Sequence, residues 1–277
     1  MENNSGIETR FRFGRNWSRF LKHIDEATIC RAEESLRHAL ALRDLKDRTF
    51  LDIGSGSGLF SLAAWRLGAR VNSIDLDAES VACTRELKRR YADGDDRWQI
   101  LTGSVLDRPF IERQPSADIV YAWGVLHHTG HMWSALENTI GRTKLGGRLY
   151  VAIYNDQAAT SRRWTCVKRL YNRVPPVLQM GVLLPALVRI WGPTVLRDTL
   201  RLRPLHTWRT YQSSRGMNAW HDLVDWVGGY PFEVAKPEEV IDFCLQRALQ
   251  LTHLKTCGGG RGCNEYVFVR TTTRASD

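Results

Sequence analysis

No apolar run in the 277-residue chain approaches the roughly 18 residues that cross a bilayer. The opening Met1-Glu2-Asn3-Asn4-Ser5-Gly6 has neither the basic nor the apolar region of a secretory signal. Together these point to a cytoplasmic protein. Cysteine is sparse: Cys30, Cys83, Cys166, Cys244, Cys257 and Cys263 are scattered, which suits reduced thiols rather than a disulfide framework. Cys257 and Cys263 with His253 match no common zinc spacing and lack a fourth ligand, so no metal is expected. Internal repeats and low-complexity tracts are absent.

Acidic side chains are scarce in one place. Residues 157–225 hold eleven Lys and Arg against Asp198, Asp222 and Asp225, and this segment carries nearly all of the net charge of +9. Such a block suits an acidic partner, nucleic acid, a membrane surface or a solvated helical face. The rest is ordinary for a globular chain, 43% hydrophobic and 25% charged, long enough for one large or two small domains.

Against that background one stretch stands out: Phe50-Leu51-Asp52-Ile53-Gly54-Ser55-Gly56-Ser57-Gly58-Leu59-Phe60. It reads as an apolar strand, a three-glycine turn and the start of a helix. Glycines open the left-handed region of backbone space and let a ligand approach main-chain N–H groups. Asp52 ends the strand, where its carboxylate can orient the turn or accept from an ammonium group. A second strand over residues 70–74 ends in Asp75, 23 positions beyond Asp52. An acid at that distance, on the tip of the neighbouring strand, is how a doubly wound sheet grips a ribose. The turn is D-x-G-x-G-x-G rather than the dinucleotide G-x-G-x-x-G.

That pattern resembles the first motif of class I S-adenosylmethionine (SAM) methyltransferases. Three further stretches, Leu126-His127-His128-Thr129-Gly130, Ile153-Tyr154-Asn155-Asp156 and Asp225-Trp226-Val227-Gly228-Gly229-Tyr230-Pro231, look like a bacterial group labelled as similar to ubiquinone-biosynthesis O-methyltransferases. The resemblance implies SAM as cofactor and a Rossmann-like α/β sheet of seven strands, mostly parallel with one antiparallel. It implies that Asp52, Gly54, Gly56 and Gly58 line the methionine and ribose portion, that Asp75 takes the ribose hydroxyls and that Leu76 flanks the adenine. Ser104 and Val105 lie in the turn expected against the adenine. Many members carry an acid where this chain has Ser104, which leaves Ser104 or Asp107 as candidates for the amino contact. Trp123, after strand four, is expected at the methionine end. The segment 157–225 differs from the ubiquinone enzymes, so their lipid-quinone substrate does not carry over.

The alternation of strands (49–53, 70–74, 98–101, 117–121, 148–154) with helices argues for a parallel sheet. Residues 249–256 and 264–270 with a glycine loop between them read as a hairpin, so the last strand is antiparallel. The expected division is a helical N-terminal lid over 1–45, a SAM-binding core over 46–156, a cap of short, proline-punctuated helices over 157–225 and a completing segment over 226–277. In the first segment Phe11, Phe13, Trp17 and Phe20 alternate with arginines. They read either as packing or as a lid whose aromatic faces attract a sulfonium.

His127 and His128 follow strand four and face the cofactor end of the sheet, as structural residues or as a proton acceptor near neutral pH. Tyr154 and Asn155 end strand five on the same rim; Asn155 is either an acceptor-fixing amide or part of a turn. Phe13, Trp17, Tyr171, Trp226 and Tyr230 are candidates for the substrate pocket. The reading with most support is methyl transfer to a hydrophobic small molecule bearing an acidic group. Two alternatives stand beside it: SAM as sole substrate of an intramolecular cyclase or lyase releasing methylthioadenosine, and an RNA methyltransferase. An N-P-P-Y-type base-gripping motif is expected after strand four in RNA enzymes, and this chain has Trp123-Gly124-Val125-Leu126 there, so nucleic acid is not the expected partner. Weak membrane-surface contact through residues 174–196 is a further expectation.

Overall fold

A computed structural model describes residues 14, 17, 20, 21, 24–215 and 219–272, without the side chains of residues 212–215 and 221. Phe11 and Phe13, with the arginines beside them, lie outside the described residues.

Seven apolar runs form one sheet: β1 (Thr49–Ile53), β2 (Arg70–Asp75), β3 (Trp98–Thr102), β4 (Ala117–Trp123), β5 (Thr143–Tyr154), β6 (Leu249–Lys255) and β7 (Cys263–Arg270), in the spatial order β3-β2-β1-β4-β5-β7-β6. The first five are parallel because helices carry the chain back between them. These are α2 (Leu59–Arg66), α3 (Ala78–Tyr91), α4 (Arg108–Glu112) and α5 (Met132–Gly141), preceded by α1 (Glu26–Leu40). The short β6–β7 connection allows no crossover, so β7 runs antiparallel to both neighbours. Strand order reverses direction between β1 and β4, which opens a crevice at their carboxyl ends.

Period-two alternation splits each central strand between two apolar layers. Phe50, Ile119, Tyr121 and Tyr150 pack with α1, α2 and α3. Leu51, Ile53, Val120 and Val151 pack with α5 and with α10 (Pro237–Leu245) on the other face. β5 begins earlier than the expected 148, because Gly146 and Gly147 let the strand bulge between its pairings with Ala117 and Ile119. A Cβ on Gly147 would lie 2.8 Å from the Lys144 carbonyl oxygen.

Between β5 and α10 lie four helices: α6 (Ala159–Arg173), α7 (Pro176–Leu200), α8 (His206–Arg215) and α9 (Ala219–Gly228). Tyr171, Leu183, Ala186, Leu223 and Val227 form a separate small core for them. Prolines do not break this segment as expected. Helix α7 runs for 25 residues through Pro185 and Pro193. Both prolines are exposed, so the carbonyls they leave unbonded face water, and Gly181 four residues before Pro185 has no side chain to add to the crowding. Arg189 and Gln179 interrupt its apolar letters, which hid a helix long and apolar enough, by length and composition, to cross a membrane.

Pro185→Ala restores one backbone hydrogen bond at an exposed position and should stabilise the chain by about 1–3 kcal/mol in urea unfolding, the helical penalty of proline less its benefit in the unfolded state. A fall in stability would mean that packing of α7 requires the proline bend.

Candidate functional site

The glycine turn is held from below by β2. The Ile74 carbonyl accepts from the N–H groups of Gly54 (2.7 Å) and Ser55 (3.2 Å), and Gly58 N–H donates to the Ser55 carbonyl (2.8 Å). Gly54, Gly56 and Gly58 have φ of 78°, 55° and 82°, all in the left-handed region. Space is as tight as geometry: a Cβ on Gly54 would lie 2.4 Å from Val125 Cγ2 and one on Gly58 3.0 Å from the Thr84 backbone. The Trp17 indole covers Gly56, 3.0 Å from where its Cβ would be. Asp75 closes the turn. One carboxylate oxygen accepts from Gly56 N–H (2.9 Å) and the other from Asp77 N–H (2.9 Å). Each oxygen keeps a lone pair for a hydroxyl donor. Burial raises the Asp75 pKa, and these amides oppose the rise.

Asp52 lies under the turn, buried, and accepts from Ser61 Oγ on α2. Ser61 is 2.6 Å from Ser73 Oγ, which accepts from Trp98 Nε1 (2.8 Å). An indole only donates, so the chain has one sense: Trp98 to Ser73 to Ser61 to Asp52. Burial, opposed by the Ser61 bond and reinforced by Asp75, pushes the Asp52 pKa up to about 7. On the adenine side, Leu76 is half exposed. Ser104 Oγ accepts from Leu106 N–H (3.1 Å), and the carbonyl of buried Val105 accepts from Asn138 (2.8 Å). Asp107 caps α4, one carboxylate oxygen accepting from Phe110 N–H (3.1 Å), so each of the two candidates already accepts one main-chain bond.

Trp123, half exposed, ends β4, and a one-turn 3-10 helix, Leu126–His128, follows it. His127 is wholly buried; burial first, then His128 and Lys168, hold its pKa well below the usual value, so the imidazole is neutral. Its ring lies 3.9 Å from that of Tyr154, and its Nε2 has no hydrogen-bond partner among the described residues. His128 Nδ1 is 2.7 Å from the Pro231 carbonyl. A carbonyl only accepts, so Nδ1 carries a proton, and in the uncharged form of the ring the lone pair is on Nε2. Glu233 steadies this turn. Its N–H donates to the His127 carbonyl (2.9 Å), and its carboxylate accepts from Met132 N–H at the start of α5 (3.0 Å).

Tyr154 is the hub of an aromatic group with Trp226 and Phe232, each 5.3 Å away by ring centroids. Burial keeps its phenol neutral. The Trp226 Nε1–H is buried with no partner among the described residues. Tyr230 accepts from Arg169 Nε (3.3 Å). Two expected residues are drawn elsewhere. The Asn155 amide is used on the β6–β7 loop, donating to the Gly260 carbonyl (3.3 Å) and accepting from Asn264 (3.0 Å). Tyr171 packs in the small core of α6, α7 and α9.

Sequence reasoning missed Lys168, which it counted only as charge. The side chain is fully buried, bonds the Trp226 carbonyl, and its ammonium lies 4.4 Å and 4.6 Å from the Trp226 and Phe232 ring centroids. Burial lowers its pKa to about 7, with Asp225 pulling it back. The signal was available: Trp164, Lys168 and Tyr171 share one face of α6 at i, i+4 and i+7. Arg261, on the β6–β7 loop, lies 5.7 Å from the Trp226 ring and pairs with no carboxylate among the described residues; burial and Arg189 lower its pKa.

Asp52 generates a pH prediction. Its folded pKa is raised, so its stabilising contribution is complete below about pH 4 and is lost as pH rises through about 7. The stability difference between wild type and Asp52→Asn should therefore shift against wild type by up to about 1.4 kcal/mol per pH unit across that window. Urea titrations giving a pH-independent difference would remove the assignment.

Residues 51–149 match the family model of a methyltransferase domain. Ribosomal protein L11 methyltransferases are similar over part of the same chain. That of Yersinia pestis is 33% identical over 110 residues, covering 38% of this chain and 36% of the relative, and that of a Psychrobacter species is 31% identical over 93 residues, covering 26% and 30%. The chain thus spans about a third of the length of these relatives. Among solved structures, magnesium protoporphyrin IX methyltransferase of Synechocystis with bound S-adenosylhomocysteine superposes with a TM-score of 0.53 at 14% identity, covering 97% of this chain and 96% of that one. The N-methyltransferase NodS of Bradyrhizobium japonicum, with the same ligand, gives 0.51 at 16% identity, covering 94% and 98%. These two likenesses speak for the fold. The glycine turn fits the cofactor of that fold, because its three left-handed glycines leave bare backbone where any Cβ would collide. Residues 51–149 are thus similar to a methyltransferase domain, and the chain shares the fold of the SAM-dependent methyltransferases it superposes on.

Proposed function

We propose that the protein methylates a hydrophobic small molecule carrying an acidic group, bound between the tips of β4 and β5 and the helices α6 and α9. One observation carries this reading. Around Tyr154 two buried polar atoms, His127 Nε2 and Trp226 Nε1, have no hydrogen-bond partner among the described residues, in a setting of rings and the buried Lys168. Leaving such groups unmet costs about 1–3 kcal/mol each, which a bound ligand relieves.

Bound SAM supplies a methyl group made electrophilic by its sulfonium. Asp75 and the glycine turn would hold it, with Trp17 over the turn. His128 Nε2 takes a proton from the acceptor hydroxyl, since Pro231 fixes the tautomer that leaves this nitrogen basic. Glu233 positions the histidine turn. Lys168 and Arg261, both close to the Trp226 ring, meet the acidic group of the acceptor. The rings of Tyr154, Trp226 and Phe232 exclude water and orient the acceptor, where positioning supplies most of the rate. The six free thiols support a cytoplasmic setting. The protein substrate of the L11 enzymes is not carried over, because the match covers the cofactor core while α6 to α9 form this proposed pocket.

The test is incubation with SAM and a panel of aromatic hydroxy acids, with mass spectrometry of the nucleosides. S-adenosylhomocysteine that depends on an acceptor is expected. Methylthioadenosine formed from SAM alone would replace this reading with the cyclase or lyase one. In the active pair, His128→Asn should lower kcat by about 10²–10⁴-fold and abolish the acidic limb of the pH profile while leaving SAM affinity unchanged by calorimetry.

A further inference from the structure

We propose that the outward face of α7 binds the surface of an anionic lipid bilayer. The helix has two unlike sides. Leu183, Ala186 and Trp191 are buried toward the protein, the first two in one cluster with Tyr171, Leu223 and Val227. On the other side Val177 (84% exposed), Leu184, Val188 (70%), Leu196 and Leu200 (76%) form a stripe at helical spacing, and Leu202 extends it into the turn beyond. A helix facing only water carries charge along such a face. Here the stripe is apolar from end to end, and the one carboxylate of the helix, Asp198, is buried and accepts from Thr207 N–H (2.7 Å).

Charge decides the occupant. Arg189 and Arg197 lie on the helix, Arg201 and Arg203 directly after it, and Arg173 and Arg209 on the helices before and after, all exposed. Among the described residues only Arg197 reaches a carboxylate, Asp198 at 3.9 Å. An apolar strip on a helix accompanied by exposed arginines, five of them with no carboxylate within reach among the described residues, matches acyl chains beneath anionic headgroups. A second copy of this chain matches it poorly, because a two-fold contact would set these arginines against each other. The helix lies on the bilayer rather than through it, since its inner side is packed against α6 and α9.

The test is co-sedimentation of the full-length protein with vesicles. Binding to phosphatidylcholine–phosphatidylglycerol vesicles at low salt should exceed binding to phosphatidylcholine alone by at least about tenfold, and high salt should reverse it. Leu184→Asp with Val188→Asp should abolish binding while leaving the far-ultraviolet spectrum intact. If that variant fails to fold, Arg201→Glu with Arg203→Glu decides, with an expected loss of the salt-sensitive part. Absence of sedimentation with anionic vesicles at low salt overturns the proposal. So does a dimer, seen by light scattering, that the aspartate variant splits without any effect on vesicles.

Discussion

The site rests on one tie between two strands: the tip of β2 holds the turn that follows β1. Main-chain amides of Gly54 and Ser55 converge on one carbonyl, that of Ile74, and the adjacent Asp75 carboxylate takes the amide of Gly56. Those bonds require three successive left-handed glycines, and the crowding around Gly54 and Gly58 excludes any other residue. The turn is therefore rigid before a ligand arrives, so little ordering entropy remains to be lost on binding. The relay from Trp98 through Ser73 and Ser61 to Asp52 anchors the same turn from inside the core, joining β3, β2, α2 and β1 in one polar thread.

This half of the site was legible in the letters because its spacing is local. Asp52, the three glycines and Asp75 fall within two adjacent strand–turn units, and hydrophobic alternation placed both strands. The other half was less legible because its contacts are not local. Lys168 sits in a basic run and reads as a solvated residue until α6 is folded against Trp226, which is far along the chain. Asn155 reads equally as an acceptor-binding amide or a loop fixture, and only the approach of Gly260 and Asn264 decides for the loop. Helix α7 was obscured by its prolines, whose local preference is overridden by an apolar face that packs on the neighbouring helices.

The two halves also differ in charge, and burial treats them oppositely. Beneath the glycine turn lie acids, Asp52 and Asp75, and desolvation raises both pKa values. Beneath α6 and α9 lie bases, His127, Lys168 and Arg261, and desolvation lowers all three. Each of these shifts runs in the direction of the neutral form. A cation entering the acidic half favours the carboxylates, and an anion entering the basic half favours the ammonium of Lys168. The function proposed above matches this division, with a sulfonium on the β1–β2 side and an acid on the β4–β5 side.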